Sequence, residues 1–292
     1  MLENTQPPDG PLFMDYRRHD FVHDAVRAKL WENALERVVQ PGHSVLYMGS
    51  DGGVVPMLAA RAGASKVHCV VDRSNADNRE VLVENARRNG LHRRIRPVVA
   101  EGTLAWDLDM PKVDVAIIDL LSPGYFEFDL PGIVQSMRRH LKPRGIFMPD
   151  SVRQTAELLD GETEIYGLTF SYDFRARNIP GDRRLTTAGT YGLPEHLNSG
   201  EAWPADKDHV AQVTGLRLSG EGMANAVRLQ YSTKLRPGGP WRHRPTVTKV
   251  PFVLHLPEAV PVEPGANYDI ALGPYLPATI SPRDLPISVN RA

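Results

Sequence analysis

The stretch from residue 44 to residue 72 most constrains the fold of this chain. An apolar run ends at Gly49, a loop with further glycines follows, a helical run comes next, and a second apolar run ends in Asp72, 23 residues after Gly49. This order predicts strand, glycine-rich turn, helix and strand. It is typical of a βαβ unit that binds a nucleotide-like cofactor, whose ribose hydroxyls donate to the terminal acid. A plain turn is the alternative, because tight turns use glycine in every fold.

Length and charge limit the classes of partner. With 292 residues, the chain is long enough for one large or two ordinary domains. A net charge of −1 gives no long-range attraction to nucleic acid or to an anionic membrane. No apolar run approaches the roughly 20 residues that span a bilayer, and the first residues lack a secretion signal. We therefore expect a cytoplasmic protein with no nucleic-acid partner, no membrane partner and no metal site.

Helices and strands alternate in the first half of the chain. Apolar residues at helical spacing predict one helix from Phe21 to Val39 and another from Leu130 to Leu141, the second ended by Pro143 and Gly145. The apolar run from Val113 to Asp119 predicts a buried parallel strand. Alternating strands and helices predict a doubly wound parallel sheet.

The pattern changes near residue 150, where helical periodicity ends. Strand-like runs between Pro and Gly turns predict an antiparallel barrel or sandwich. These runs are Gln212 to Ser219, Ala226 to Leu235, Val250 to Leu256 and Asn267 to Leu272. We therefore divide the chain into an N-terminal lid or tail at 1–18, a cofactor-binding domain at 19–150 and a β domain at 151–292. The irregular stretch at 175–208 is long for a loop and predicts a functional or interface excursion.

The order of several short motifs resembles the protein arginine methyltransferases. These motifs are H-D-A-V-R in the first helix, L-Y-M-G-S-D-G-G, the acidic strand end, D-L-L-S-P-G-Y-F-E and F-M-P-D. The resemblance runs roughly from Leu12 to Ser288; it is specific in the order and spacing of the motifs and loose in the β half. It implies a class I S-adenosylmethionine-dependent methyltransferase with a Rossmann-like doubly wound sheet. It also implies a following β-barrel with a dimerisation arm, placed at 175–208, and hence a homodimer.

The resemblance implies a set of residues that bind S-adenosylmethionine. Arg27 would grip the methionyl carboxylate, which the fork of a guanidinium fits in bidentate fashion. The full set is Arg27, Gly49, Ser50, Gly53, Asp72, Arg73, Thr103 and Leu104.

The cofactor site shows three departures from the pattern of the resembled family. Tyr47 replaces its usual acid, and Asp51 stands where a glycine is common. Thr103 and Leu104 occupy the stretch that would supply an acid to adenine. These changes concern the affinity for the cofactor more than its identity.

Two acids match the pair of glutamates with which that family clamps a substrate guanidinium. Counting back from F-M-P-D at 147–150 places Glu127 on the second glutamate. Counting forward from V-D-V-A-I-I places Asp119 on the first, if the loop is one residue shorter. A guanidinium stays protonated, with a pKa of about 12 or more, so its nitrogen lone pair is poorly available. Two carboxylates would hold it by charge-assisted hydrogen bonds of roughly 1.5 to 3 kcal/mol each and position one nitrogen for methylation. Asp129 is the nearest competitor of Glu127, and a solvated loop position is the alternative for both.

The segments expected to contact the substrate also depart from the pattern of the resembled family. The run P-T-V-T-K at 245–249 lacks the His and Trp of the resembled motif, so Asp24 loses its expected partner unless His243 reaches it. A surface charge is the alternative for Asp24. The N-terminal lid is short, with Tyr16 as the candidate cover, and no acidic tract is present to attract a basic peptide.

These observations favour an S-adenosylmethionine-dependent N-methyltransferase that acts on the guanidino group of free arginine or a small arginine derivative in a biosynthetic pathway, such as a natural-product pathway. Three alternatives stay open. They are a protein or peptide arginine methyltransferase, a methyltransferase for another small nucleophile, and a non-catalytic methyltransferase-like scaffold that dimerises.

Overall fold

The computed structural model of the protein describes most of the chain. The described residues are 22–49, 52–72, 76–100, 108–119, 130–161, 164–165, 168–169, 173–174, 183–186, 189–191, 196–198, 211–217, 221–242, 251–272 and 287–291.

A parallel sheet of five strands forms the first half. Its strands are β1 (Ser44–Gly49), β2 (Lys66–Asp72), β3 (Ile95–Ala100), β4 (Val113–Asp119) and β5 (Leu141–Met148). They lie in the order β3-β2-β1-β4-β5. The helices that alternate with them are α1 (Ala25–Val38), α2 (Val54–Arg61), α3 (Ala76–Arg88) and α4 (Leu130–Arg138). The predicted Rossmann-like sheet is confirmed, and its strand order reverses between β1 and β4.

The sheet buries both faces, as alternating side chains of a parallel strand require. Val45, Tyr47 and Ile117 belong to a core cluster with Trp31 and Leu35 of α1. The intervening residues, such as Leu46 and Ile118, belong to a second cluster with Ile133 and Met137 of α4. Helix α1 therefore covers the same face of the sheet as Tyr47.

Two helices are shorter than the sequence predicts. Helix α1 is capped by Asp24 and ends at Val38, inside the predicted span from Phe21 to Val39. Helix α4 ends at Arg138 rather than near Leu141.

Pro143 and Gly145 do not end that helix, because both lie within β5. The register between β4 and β5 shifts there, since Val113 pairs with Leu141 and Val115 pairs with Ile146. Such an irregularity accommodates a proline, which has no N–H to donate to the ladder.

The second half contains antiparallel sheets. Strands β6 (Ser151–Asp160), β13 (Gly222–Lys234) and β14 (Phe252–Val262) form the centre of a six-stranded sheet. Strands β12 (Ala211–Arg217), β15 (Asn267–Leu272) and β16 (Ile287–Arg291) form a three-stranded sheet. The short strands are β7 (Glu164–Ile165), β8 (Leu168–Thr169), β9 (Asp173–Phe174), β10 (Arg183–Arg184) and β11 (Gly189–Tyr191). The four predicted strand runs all fall on observed strands.

The described parts of the 175–208 excursion contact both strand β6 and the segment that precedes it. Strands β10 and β11 both pair with β6. The side chain of Asn198 accepts a hydrogen bond from the Phe147 N–H at 2.8 Å and donates to Asp150 Oδ1 at 2.9 Å. The excursion thus packs on the F-M-P-D segment, and its role as a dimerisation arm stays a prediction.

Candidate functional site

The reversal of strand order defines where a ligand can bind. In an open α/β sheet, ligands bind outside the carboxyl ends of the strands at the point where the order reverses. Strands β1 and β4 pair in parallel at this point, and their last residues, Gly49 and Asp119, are register partners. The first acid of the predicted clamp and the first glycine of the predicted cofactor loop therefore lie side by side.

Arg27 of α1 forms an ion pair with Asp119. The contact joins Arg27 Nη2 and Asp119 Oδ2, and both side chains are about nine-tenths buried. A buried charge is costly without a partner, so the two groups hold each other at the carboxyl edge of the sheet. The structure brings together a predicted cofactor residue and a predicted substrate residue.

Asp24 places Arg27 by capping the helix. Its Oδ1 accepts a hydrogen bond from the Arg27 N–H at 2.9 Å, which satisfies one of the free donors of the first turn. Asp24 is only 1% exposed, so the surface position considered for it is excluded. The carboxylate also lies at the positive end of the helix dipole, where a negative charge is favoured.

Tyr231 of β13 brings the β domain to this cluster. Burial raises the pKa of its phenol above the ordinary value, the Arg27 charge opposes that rise, and the Asp24 charge adds to it. Tyr231 therefore lies within electrostatic reach of both groups and stays neutral at physiological pH. Tyr231 could not be identified from the sequence, because it lies about 200 residues after the first helix and a single tyrosine in a strand has no distinguishing pattern.

The end of the glycine loop, at Gly52 and Gly53, lies directly before α2. Gly53 has a φ of 104° at the N-cap of α2, a conformation that glycine tolerates and other residues rarely adopt. An added Cβ there would lie 2.8 Å from Leu82 Cδ1. Asn85 of α3 donates to the Gly52 carbonyl at 2.9 Å, which ties the loop to the next helix.

Gly49 is required because Tyr47 leaves no room for a side chain at this position. A Cβ on Gly49 would overlap the hydroxyl and ring of Tyr47, which is two residues earlier on the same face. Tyr47 is 3% exposed, so its ring cannot simply turn out to solvent. The tyrosine that replaces the expected acid therefore lies against the first glycine of the loop, next to Asp119.

Several predicted site residues lie outside the described part of the chain. These are Tyr16, Ser50, Arg73, Thr103, Leu104 and Glu127. Asp72 is placed by its backbone as the last residue of β2, at the same edge of the sheet as Gly49. Their proposed roles stay predictions.

Comparison with known sequences gives three relevant relatives. Over 144 residues the chain is 32% identical to protein arginine N-methyltransferase PRMT10 of Arabidopsis thaliana, a match that covers 47% of this chain and 36% of that protein. It is 31% identical over 149 residues to arginine N(omega)-methyltransferase of Streptomyces achromogenes subsp. streptozoticus, covering 48% and 39%. It is 30% identical over 156 residues to ribosomal protein arginine N-methyltransferase rmt3 of Schizosaccharomyces pombe, covering 50% and 27%. The chain thus spans well under half the length of these relatives. No model of a protein family matches the sequence.

Solved structures share the fold over almost the whole chain. The PRMT1 enzyme-prozyme heterotetrameric complex with AdoHcy from Trypanosoma brucei has a TM-score of 0.69 at 19% identity, covering 94% of this chain and 92% of that one. Protein arginine methyltransferase 10 of Arabidopsis thaliana, in an open conformation, has a TM-score of 0.68 at 16% identity, covering 96% and 97%. At these identities the likeness concerns the fold alone. Together the comparisons confirm the resemblance that the motif order predicted.

Proposed function

We propose that this chain, which is related by sequence and fold to the protein arginine N-methyltransferases, transfers a methyl group from S-adenosylmethionine to a guanidino nitrogen of arginine. One observation carries the proposal. The carboxylate of Asp119 lies at the reversal point of the sheet, beside the first glycine of the loop and in contact with a buried guanidinium. Because the carboxylate of Asp119 already binds the guanidinium of Arg27, it is chemically suited to bind the guanidinium of a substrate as well.

The net charge of the described residues in the cluster favours a cationic substrate. The described charged side chains of the cluster are Asp24, Arg27 and Asp119, which sum to one negative charge. Tyr231 adds none, because its raised pKa keeps the phenol neutral. A substrate guanidinium would offset the excess, and Glu127 would supply the second carboxylate of the clamp.

The residues present fit S-adenosylmethionine, which supplies a sulfonium methyl group when bound. Arg27 offers a guanidinium to a carboxylate, and its several N–H donors allow it to keep Asp119 at the same time. The loop through Gly53 leads directly into α2, whose first backbone N–H groups face the same edge of the sheet. Asp72 ends β2 beside that loop, where a ribose acceptor is expected.

The work of the clamp is positioning and electrostatics. Asp119 and Glu127 would fix one terminal nitrogen of the substrate in line with the methyl carbon and draw positive charge away from it. The bound cofactor would supply the methyl group, and a clamp carboxylate would accept the surplus proton of the methylated nitrogen.

We infer that the substrate is free arginine or a small arginine derivative. The missing His-Trp motif at 245–249 and the lack of an acidic tract in the sequence leave fewer groups to recognise a basic peptide. One relative is named an arginine methyltransferase rather than a protein arginine methyltransferase. Arginine in a protein or peptide is the second candidate, because the other two relatives are named protein arginine N-methyltransferases.

We further propose that the chain forms a homodimer through the 175–208 excursion. The support is the similarity in fold to a solved heterotetrameric complex.

In the part of the chain that the structure describes, none of the helices has the length and hydropathy of a membrane span.

An assay with isotopically labelled S-adenosylmethionine tests the substrate. Free L-arginine and a panel of arginine-rich peptides are offered separately, and products are read by mass spectrometry. The proposal expects label on the guanidino group of free arginine. Label on the peptides alone would overturn the small-molecule substrate, and label on neither, with demonstrated cofactor binding, would favour another nucleophile. Absence of cofactor binding would favour the scaffold.

A further inference from the structure

A second concave feature lies away from the methyl-transfer cluster. It is a cleft of about 390 Å³ between the C-terminal half of α1 and residues 235–242, which follow β13. We call it the α1–β13 cleft. Leu30 and Ala34 line it from the helix, and Leu235 lines it from the strand side.

The cleft carries a local excess of positive charge. Arg37, Arg236 and Arg242 line it, and Glu36 is the one acid among its described lining residues. The whole chain has a net charge of −1, so three guanidinium groups around one cleft do not reflect an overall basic composition. A substrate guanidinium would be repelled here, which separates this cleft from the methyl-transfer site in function.

Two further cations contact Trp241, the residue that precedes Arg242. Arg153 and Lys234 both lie over the ring of Trp241, at 4.3 Å and 4.7 Å from its centroid. These contacts hold Trp241, and with it the neighbouring Arg242, against the strands. They also add positive potential near the cleft, which attracts an anion more strongly than the lining arginines alone.

The backbone that presents the arginines is fixed. The N–H of Gly239 donates to the Arg236 carbonyl at 2.9 Å and closes the turn. Arg242 exchanges two backbone hydrogen bonds with Thr233, at 2.8 Å and 3.3 Å. Arg37 projects from the last turn of α1. Guanidinium groups on such a frame lose less freedom when they bind a ligand, and their planar forks match the oxygens of phosphates and carboxylates.

We propose that the α1–β13 cleft binds a small multivalent anion that carries phosphate or carboxylate groups. The site is independent of the proposed methyl transfer. It lies along the same seam, because Leu30 is one helical turn beyond Arg27 and Leu235 is four residues, or roughly 13 Å, beyond Tyr231. A bound anion would bridge α1 and the end of β13, the two elements that supply Arg27 and Tyr231.

Calorimetric titration of the full chain with inorganic phosphate, at constant ionic strength and without cofactor, tests the proposal. We expect saturable binding of one phosphate per chain, weakened about tenfold or more in the R236A/R242A variant. The R87A/R88A variant removes the same charge from the exposed face of α3, where both arginines pair with Glu84, and should bind phosphate as the parent does. A parallel titration with citrate distinguishes a phosphate ligand from a polycarboxylate by which anion binds more tightly.

Arg37→Ala keeps the test valid if the double variant fails to fold. Arg37 is exposed near the end of α1 and alanine favours the helix, so this variant should fold and lose several-fold in phosphate affinity. The proposal is overturned if neither anion binds saturably to the parent, or if the R87A/R88A control weakens binding as much as R236A/R242A.

Discussion

Arg27 and Asp119 form a buried ion pair that joins the first helix to the carboxyl end of strand β4. The pair links the two halves of the proposed reaction, because one residue is assigned to the cofactor and the other to the substrate. It also makes each residue depend on the other for neutralisation, since removal of one partner leaves a buried charge.

The first prediction concerns this dependence. Arg27→Gln should destabilise the protein by about 3 kcal/mol, because Asp119 then keeps its charge without its ion-pair partner. The double variant Arg27→Gln with Asp119→Asn should lose less than the sum of the two single variants. Urea unfolding measures all three, with the exposed Arg88→Gln as a control that should change stability little. Additive losses would contradict a direct coupling.

The second prediction concerns the clamp. Glu127→Gln keeps the shape of the side chain but removes its charge, so turnover should fall by about a hundredfold or more while cofactor affinity stays near normal. Asp129→Asn is the matched control and should retain activity. A loss of turnover in Asp129→Asn with normal turnover in Glu127→Gln would transfer the role to Asp129.

The third prediction concerns Tyr231. Tyr231→Phe removes only the hydroxyl, so stability should fall by about 1 kcal/mol. Methyl transfer should fall about tenfold, because a polar hydroxyl near the Arg27 and Asp24 charges is replaced by hydrogen. Tyr268→Phe is a suitable control, since that hydroxyl accepts a hydrogen bond from the Glu263 N–H within the β domain. Equal effects on turnover in both variants would show that Tyr231 has only a structural role.

The fourth prediction concerns Tyr47 and Gly49. Gly49→Ala should cost about 1 to 3 kcal/mol, because the new methyl group overlaps the Tyr47 ring. In a Tyr47→Val background the ring is gone, so the same change should cost much less. Thermal unfolding of the two single variants and the double variant gives the coupling energy. An unchanged cost in the Tyr47→Val background would place the constraint on Gly49 elsewhere.

The fifth prediction concerns acid stability. Burial alone would raise the pKa of Asp114, but hydrogen bonds from Lys142 Nζ at 2.7 Å and from Ser44 outweigh it and lower the pKa to about 2. A carboxyl with a lowered folded pKa contributes stability above its unfolded pKa near 4, and this stability is lost as the pH falls through the folded pKa. Asp114→Asn should therefore be about 1 to 2 kcal/mol less stable at pH 7 and nearly equal to the parent near pH 2. A constant difference across that window would contradict the assignment.

The sequence predicts the local parts of this site well. The ends of β1, β2 and β4 are visible as apolar runs that stop at Gly49, Asp72 and Asp119, and parallel strands bring such ends to one edge of a sheet. Four strands of the β domain were predicted in the same way, although β14 continues to Val262, beyond the predicted end at Leu256. These features depend on residues close together in the chain.

The features that the sequence did not predict depend on contacts between distant elements. Tyr231 and Asn85 have no local pattern, because their importance comes from what they meet across the fold. Asp24 is buried and accepts a hydrogen bond from the Arg27 N–H because of the way α1 packs. The sequence alone could not distinguish a buried Asp24 from one on the surface. The end of helix α4 was predicted too late because Pro143 was expected to end it. Pro143 instead lies in β5, where a register shift accommodates it.

A structure of the protein with S-adenosylhomocysteine and L-arginine tests the central claim most directly. The measured quantities are the distances from the guanidino nitrogens of the bound arginine to the carboxylates of Asp119 and Glu127. The proposed clamp predicts hydrogen-bond distances to both acids, with Arg27 turned toward the cofactor carboxylate. Arginine bound elsewhere, or Glu127 directed away from Asp119 in the ternary complex, would contradict it.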